Sequence, residues 1–215
     1  MSKVEGRRFR GVLPAERRAQ RRKQLLSAGL QMFGTRGFHA TGIRDICAEA
    51  GLTERYFYES FENRERLFAA VFDGCVERLR EAMVRAISAH AQRGPVAAGR
   101  EATRSYLEGL RDDPRLVRVL LIDSLGIDAD MGGKSVSATR TFTSLIVPVL
   151  ANMYPDLAAG GLDFQRVADG LVGSTLFIVT QWALSGFEGD LDDVLDHCML
   201  FYTAIADTLA HRTTS

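Results

Sequence analysis

At 215 residues, with 46% hydrophobic and 25% charged positions, the chain can bury a sizeable core and has the balance of a soluble globular protein. Its 27 basic residues equal its 27 acidic ones, so a uniformly basic or acidic molecule is excluded. The placement is uneven: residues 1–70 hold 14 Lys and Arg against 8 Asp and Glu, a net +6, and the remainder carries a net −6, the pattern of a polyanion-binding N-terminal part on an acidic body.

Residues 1–13 are basic, contain glycine and lack periodicity, so they read as a flexible arm. Nine basic residues fall within the first 25 against two acidic ones, and Arg7, Arg8 and Arg10 are placed to enter a minor groove of DNA. Pro14 suits a first helical position, with Glu16 favourable in the first turn. Leu25, Ala28, Gly29, Met32 and Phe33 then fall on one helical face, and Gly34 and Gly37 are expected to end that helix. Thr41 is the expected N-cap of a second helix whose inward face is Ile43, Ile46, Cys47 and Ala50. Gly51 stops it as glycine does at helix C-termini.

Thr53 is expected to cap a third helix and Asn63 a fourth. The fourth keeps helical spacing through Leu67, Phe68, Val71, Phe72, Cys75, Leu79, Met83 and Ile87 to about His90, where "QRGPVAAG" breaks it. Further helices are predicted at roughly 97–111, 114–126, 135–153, 163–186 and 191–210. They are separated by "DDP", "GIDADMGGK", "YPDLAAGGLD" and "SGFEGD", which carry Gly, Pro and Asp turn chemistry. Neither strand-like alternation nor an internal repeat is visible. The reading is an all-α protein of about nine helices: an arm (1–13), a three-helix unit (14–62) and a larger helical bundle (63–215).

The three-helix unit has the form of a helix-turn-helix. With Phe57 and Phe61 turned inward beside Leu52, Arg55 and Glu59 lie about 200° away at 100° per residue, and Tyr56 and Tyr58 flank that outward face. An outward face of Thr53, Glu54, Arg55, Tyr56 and Tyr58 suits a groove of double-stranded DNA. Arginine pairs with guanine edges, tyrosine hydroxyls reach phosphates and tyrosine rings meet thymine methyls. Amphipathic packing alone explains the same aromatics without DNA.

The stretch from Leu25 to Phe68 resembles the N-terminal domain of the TetR family of transcriptional regulators, through Phe33, Gly37, Phe38, Thr41, Ile46, Ala50, Gly51, Tyr58, Phe61 and Leu67. It covers about a fifth of the chain. The resemblance implies a homodimeric regulator, a repressor that releases a palindromic operator when a small-molecule effector binds. It implies that Thr41 meets a phosphate, Arg44 a base or phosphate, and Arg64 a phosphate at the start of the fourth helix. Three departures stand out. Ser60 replaces the usual His, Glu59 puts an acid on the outward face, and Gly42 and Gly29 are expected to loosen the first two helices by up to about 1 kcal/mol each.

In the second half, the helices from about 163 and 191 are the expected dimer elements, the first for its small residues Gly170, Gly173 and Ser174, the second for its apolar stripe from Leu191 to Leu209. An intramolecular core accounts for such stripes equally well. An effector pocket is expected among Tyr106, Leu110, Leu120, Asp123, Phe142, Ile146, Phe177 and Trp182, with Asp123 either orienting a ligand or pairing with Arg118.

Scattered histidines, the absence of zinc-ligand spacing, of a phosphate-binding glycine loop and of a nucleophile elbow speak against an enzyme, a metal site or a cofactor. Three distant cysteines point to reduced thiols, with Cys47 either filling the core or sensing redox state. The charged start lacks an apolar leader and "GLVGSTLFIVTQWALSG" is interrupted by polar residues, so a cytoplasmic protein without a membrane span is expected. The alternatives left open are an activator on the same fold and a helical small-molecule-binding protein that has lost sequence-specific DNA reading.

Overall fold

The computed structural model describes residues 14–123 and 134–213; the arm residues Arg7, Arg8 and Arg10 lie outside them. Among the described residues all regular structure is helical. The order is α1 (Pro14–Arg36), α2 (Ile43–Ala50), α3 (Glu54–Tyr58), α4 (Arg64–His90), α5 (Pro95–Asp112), α6 (Arg115–Val117) continuing as a π-helix (Arg118–Asp123), α7 (Lys134–Met153), α8 (Pro155–Ala159), α9 (Phe164–Leu184) and α10 (Leu191–Thr213). Among the described residues the nine-helix reading lacked a 3₁₀ turn (Ala91–Arg93) after α4 and the short α8, where Pro155 starts a single turn inside a segment read as a loop.

The N-terminal unit forms where periodicity and capping agree. Leu25, Ala28, Met32 and Phe33 of α1 are buried, as are Ile46 and Cys47 of α2 and Phe57 of α3. Gly51 adopts φ 63°, ψ 34°; its own N–H bonds the Ala48 carbonyl and that of Leu52 the Cys47 carbonyl, closing the helix-turn-helix turn. The Asn63 side chain accepts from the Arg66 N–H at 2.8 Å, as an N-cap should.

Two local expectations are corrected. Gly34 does not end α1, which runs on to Arg36; it clears space for α6, since a Cβ there would collide with the Arg115 side chain. Thr41 does not cap α2. Gly42 occupies the cap position with its N–H bonded to Asp45 at 2.9 Å, so it lies outside the helix and costs it nothing. Gly29 likewise earns its place, because a Cβ would stand 3.0 Å from Val71 of α4.

The 27-residue α4 is roughly 40 Å long at 1.5 Å per residue, so one rigid rod joins the N-terminal unit to the bundle. Its first half buries Leu67, Phe68, Val71 and Phe72; its last turns reach between α5 and α7. The bundle packs α5 against α4 and α10, and α9 against α7 and α10. By length and composition α9 is apolar enough to cross a bilayer, which the interrupted run in the sequence concealed, and only a third of that apolar window is buried within the chain.

Candidate nucleic-acid interface and effector cavity

The outward face of α3 is assembled from neighbouring elements. Phe57 is fully buried and Phe61 lies next to it, ring centres 6.0 Å apart, which turns Arg55 and Tyr58 to the surface; Tyr58 is 57% exposed. Thr53 is exposed at the α3 N-terminus, and its side chain makes no cap hydrogen bond. Arg44 projects from α2 with 90% of its side chain exposed and pairs with Glu54 at 3.1 Å. Arg55 pairs with Glu59 at 3.3 Å. These are surface ion pairs, worth about 0–1 kcal/mol each, so a phosphate can displace either carboxylate cheaply.

Arg21 of α1 was missed as a member of this surface. Its guanidinium stacks over the Tyr56 ring at 4.3 Å and pairs with Glu59 at 3.4 Å, so Glu59 sits between two arginines instead of standing as a lone acid. The signal in the sequence is the spacing of Arg17, Arg18, Arg21 and Arg22 along one helix, which repeats one turn apart. Ser60, in place of the usual His, has a buried hydroxyl with no hydrogen-bond partner among the described residues.

Two residues carried over from the resemblance are differently employed. Thr41 is 1% exposed, and its hydroxyl donates to the Gly37 carbonyl at 2.7 Å, so its side chain holds the turn between α1 and α2 and has no access to a phosphate. Arg64 covers the Phe38 ring at 4.0 Å and donates to the carbonyls of Thr41 at 3.0 Å and Phe38 at 3.3 Å. It ties the start of α4 to the same turn, with about a quarter of its side chain exposed.

That turn is gripped a third time from the bundle. Asp123, at the end of the π-helix, accepts a hydrogen bond from the Phe38 N–H at 2.7 Å. Arg118 donates to the Thr35 carbonyl at 3.2 Å, and Arg115 to the Gln31 side chain at 2.8 Å. Asp113 binds Arg115 at 2.7 Å and Arg78 of α4 at 2.9 Å. The Arg115 and then Arg78 hydrogen bonds hold its carboxyl below the ordinary carboxylate range. Cys75 lies beneath this cluster, and burial, reinforced by Asp113, pushes its thiol up to about 12. Cys47 and Cys198 are also buried with raised thiols, so all three are poor thiolates at neutral pH.

A cavity of about 540 Å³ runs among α4, α5, α7, α9 and α10, a volume suited to a small organic ligand. Met83 and Ile87 of α4, Ala102 of α5, Ile146 of α7, Leu176 of α9 and Met199 of α10 line it; among the described residues no charged side chain does. The exposed lining residues Pro95 and Val96 on one side, and Val149 and Met153 on the other, mark its mouth.

Of the residues expected here, Tyr106, Phe142 and Ile146 line the cavity. Leu110 is fully buried in the core, and Leu120 packs against that core. Trp182 is buried against Phe187, ring centres 4.9 Å apart, away from the cavity. Phe177 faces the other way and is 68% exposed. Asp123 is engaged with the turn. The placements of Phe177 and Trp182 share one cause: a helix apolar on more than one face does not announce which face meets the cavity.

Residues 25–71 match the family model for bacterial regulatory proteins of the tetR family. Over 191 residues the chain is 24% identical to the HTH-type transcriptional activator FasR of Mycolicibacterium smegmatis, covering 86% of this chain and 82% of the relative. Among solved structures, the fatty acid degradation regulator FadR of Bacillus halodurans superposes with a TM-score of 0.71 at 17% identity, over 84% of this chain and 93% of the other. The regulator FadR of Bacillus subtilis in complex with stearoyl-CoA gives 0.67 at 17% identity, over 82% and 95%. Residues 25–71 thus match that family's N-terminal domain, and the chain shares its all-α fold with these solved structures.

Proposed function

We propose that the chain is a TetR-family regulator that binds a palindromic operator as a homodimer, represses from it, and releases it when an apolar small molecule fills the cavity. The DNA surface is Arg44, Thr53, Glu54, Arg55, Tyr56 and Tyr58 with Arg21 beside them, and the arm with Arg7, Arg8 and Arg10 adds minor-groove contact. The observation that carries the reading is α4: one rod whose N-terminal end holds the reading unit and whose Met83 and Ile87 line the cavity. A ligand wedged between α4 and α7 shifts the rod, and the spacing of two reading heads about 34–36 Å apart, or a multiple, changes with it.

Dimerisation through α9 and α10 is supported by what these helices leave uncovered. Gly170, Gly173, Phe177 and Leu184 form one stripe of α9, with nothing within 4 Å of where a Cβ would stand at either glycine. Leu200 and Phe201 of α10 are 63% and 48% exposed. Two such helices from each chain make a four-helix bundle.

The effector class follows from an apolar cavity and from two structural relatives whose names concern fatty acid degradation and stearoyl-CoA; a long acyl chain fits the lining. The activator reading is the second one, favoured by the name of the FasR relative. The test is DNA binding with and without hexadecanoyl-coenzyme A, together with reporter transcription from the bound site. Loss of DNA binding on ligand addition, with rising transcription, supports acyl-induced derepression. Unchanged binding contradicts the effector, and transcription that needs the protein contradicts repression.

A further inference from the structure

Apart from Asn152, exposed beside Met153 at the mouth, and Tyr154, whose hydroxyl donates to the Ala206 carbonyl, the polar lining of the cavity gathers in one place, where hydroxyls from three helices converge. Thr103 and Tyr106 stand one turn apart on α5, Thr175 lies on α9 and Tyr202 on α10, and all four line the cavity. Thr175 and Tyr202 oxygens are 3.4 Å apart, and Tyr202 also faces Thr103. The two threonine hydroxyls donate within their own helices, to Gly99 at 2.9 Å and Leu171 at 3.0 Å, which leaves their lone pairs open to an incoming donor.

Tyr106 is 5% exposed and its ring packs edge-on to Phe142 at 5.6 Å. It lines the cavity near Tyr202, so its hydroxyl is placed to donate to a ligand there. The mouth lies near Pro95, Val96, Val149 and Met153, whereas Tyr106 and Phe142 sit a further two to three turns along α5 and α7, at the inner end.

We propose that the cavity selects an elongated apolar ligand bearing an uncharged oxygen function (a hydroxyl or a carbonyl) at its buried end, held by Tyr106 and Tyr202 with Thr103 and Thr175. An ionised group is excluded from that end, because the described lining holds no cation to compensate it. A carboxylate, or the polar head of a thioester, therefore stays at the mouth. The patch accommodates both polarities of hydrogen bond: Tyr106 donates to a carbonyl or hydroxyl oxygen, and threonine lone pairs accept from a hydroxyl. The inference rests on the small-molecule-regulator reading and narrows its ligand class.

The test is calorimetric titration of the full-length protein with hexadecanoic acid, 16-hydroxyhexadecanoic acid and a neutral polycyclic ketone, repeated with Tyr106→Phe and Tyr202→Phe. These substitutions keep the ring packing and remove only the hydroxyls. The expected result is that the hydroxy acid binds the native protein roughly 5-fold to 10-fold more tightly than the plain acid, and that Tyr106→Phe abolishes or reverses this preference. Equal binding of the two acids by the native protein overturns the inference and leaves the acyl effector standing. Binding of the ketone alone, weakened by the tyrosine variants, supports the inference and overturns the acyl effector. No saturable binding of any probe overturns both.

Discussion

The Asp123 carboxylate accepts the Phe38 N–H at 2.7 Å across 85 positions of sequence, joining the end of the π-helix to the turn that precedes α2. With Arg118 on Thr35 and Arg115 on Gln31, it gives the bundle a second grip on the N-terminal unit, beside α4. An element that carries a coupling must bias both ends. Asp123→Ala removes the acceptor and is expected to leave DNA binding within several-fold of native while reducing effector-induced release by at least about 5-fold, the low end of ordinary coupling. Asp123→Asn keeps an oxygen acceptor and is expected to restore most of the response. Anisotropy of labelled operator titrated with effector measures both; a native response in Asp123→Ala would show that α4 alone couples the sites.

Asp113 tests the neighbouring ion cluster through pH. Its carboxyl is depressed by Arg115 and Arg78, so the unfolded chain binds its proton more readily than the folded one. The stabilisation is present above the unfolded carboxylate value of about 4 and is lost as pH falls through the lower folded value. Because both arginines are substantially exposed, the contribution is discounted to about 1–2 kcal/mol. Asp113→Asn is expected to unfold that much more easily in urea at pH 7, the gap narrowing in strong acid. A gap that stays constant with pH would mean the carboxylate charge is immaterial.

Glu59 restrains two cations of the proposed DNA surface, Arg21 and Arg55. Glu59→Gln frees them for phosphate. Non-specific duplex affinity is expected to rise several-fold at low salt, and the slope of log affinity against log salt to steepen by about 1. Should the slope remain native, those arginines lie off the DNA path.

Phe177 and Leu200 are more than 60% exposed on α9 and α10, an arrangement that costs little only if a partner covers them. The double substitution Phe177→Lys, Leu200→Lys is expected to give a monomer in sedimentation velocity, with operator binding at least about 10-fold weaker because the two heads are no longer linked. A variant that still sediments as a dimer would place the interface elsewhere.

Much of this was legible in the sequence, for local reasons. Leu25, Ala28, Met32 and Phe33 announced a buried helix face by spacing, Gly51 its turn, and Asn63 the start of α4; each signal involves residues within a few positions of one another. The inward pair Phe57 and Phe61 likewise assigned the outward face of α3. What escaped notice depends on contacts between distant segments. Gly34 read as a helix stop because Arg115, which needs its missing side chain, is 81 positions away. Thr41 read as a cap because the carbonyl that its hydroxyl seeks belongs to the previous turn. Phe177 and Trp182 read as cavity residues because α9 is apolar on more than one face, and only packing decides which face meets the cavity, the core or a second chain. Of the two roles open to Asp123 in the sequence, pairing with Arg118 is present at 4.0 Å, and the bond from the distant Phe38 N–H is the part that no local pattern announces.

The central claim, a two-headed reader of DNA sequence, is tested most directly by selecting binding sites from randomised duplex DNA with the purified protein at two salt concentrations. The expected result is a palindromic site whose half-site centres are one helical turn or a multiple apart, bound with a steep salt dependence. Weak binding without sequence preference would contradict it, leaving the basic surface as a bare polyanion contact on a helical small-molecule-binding protein.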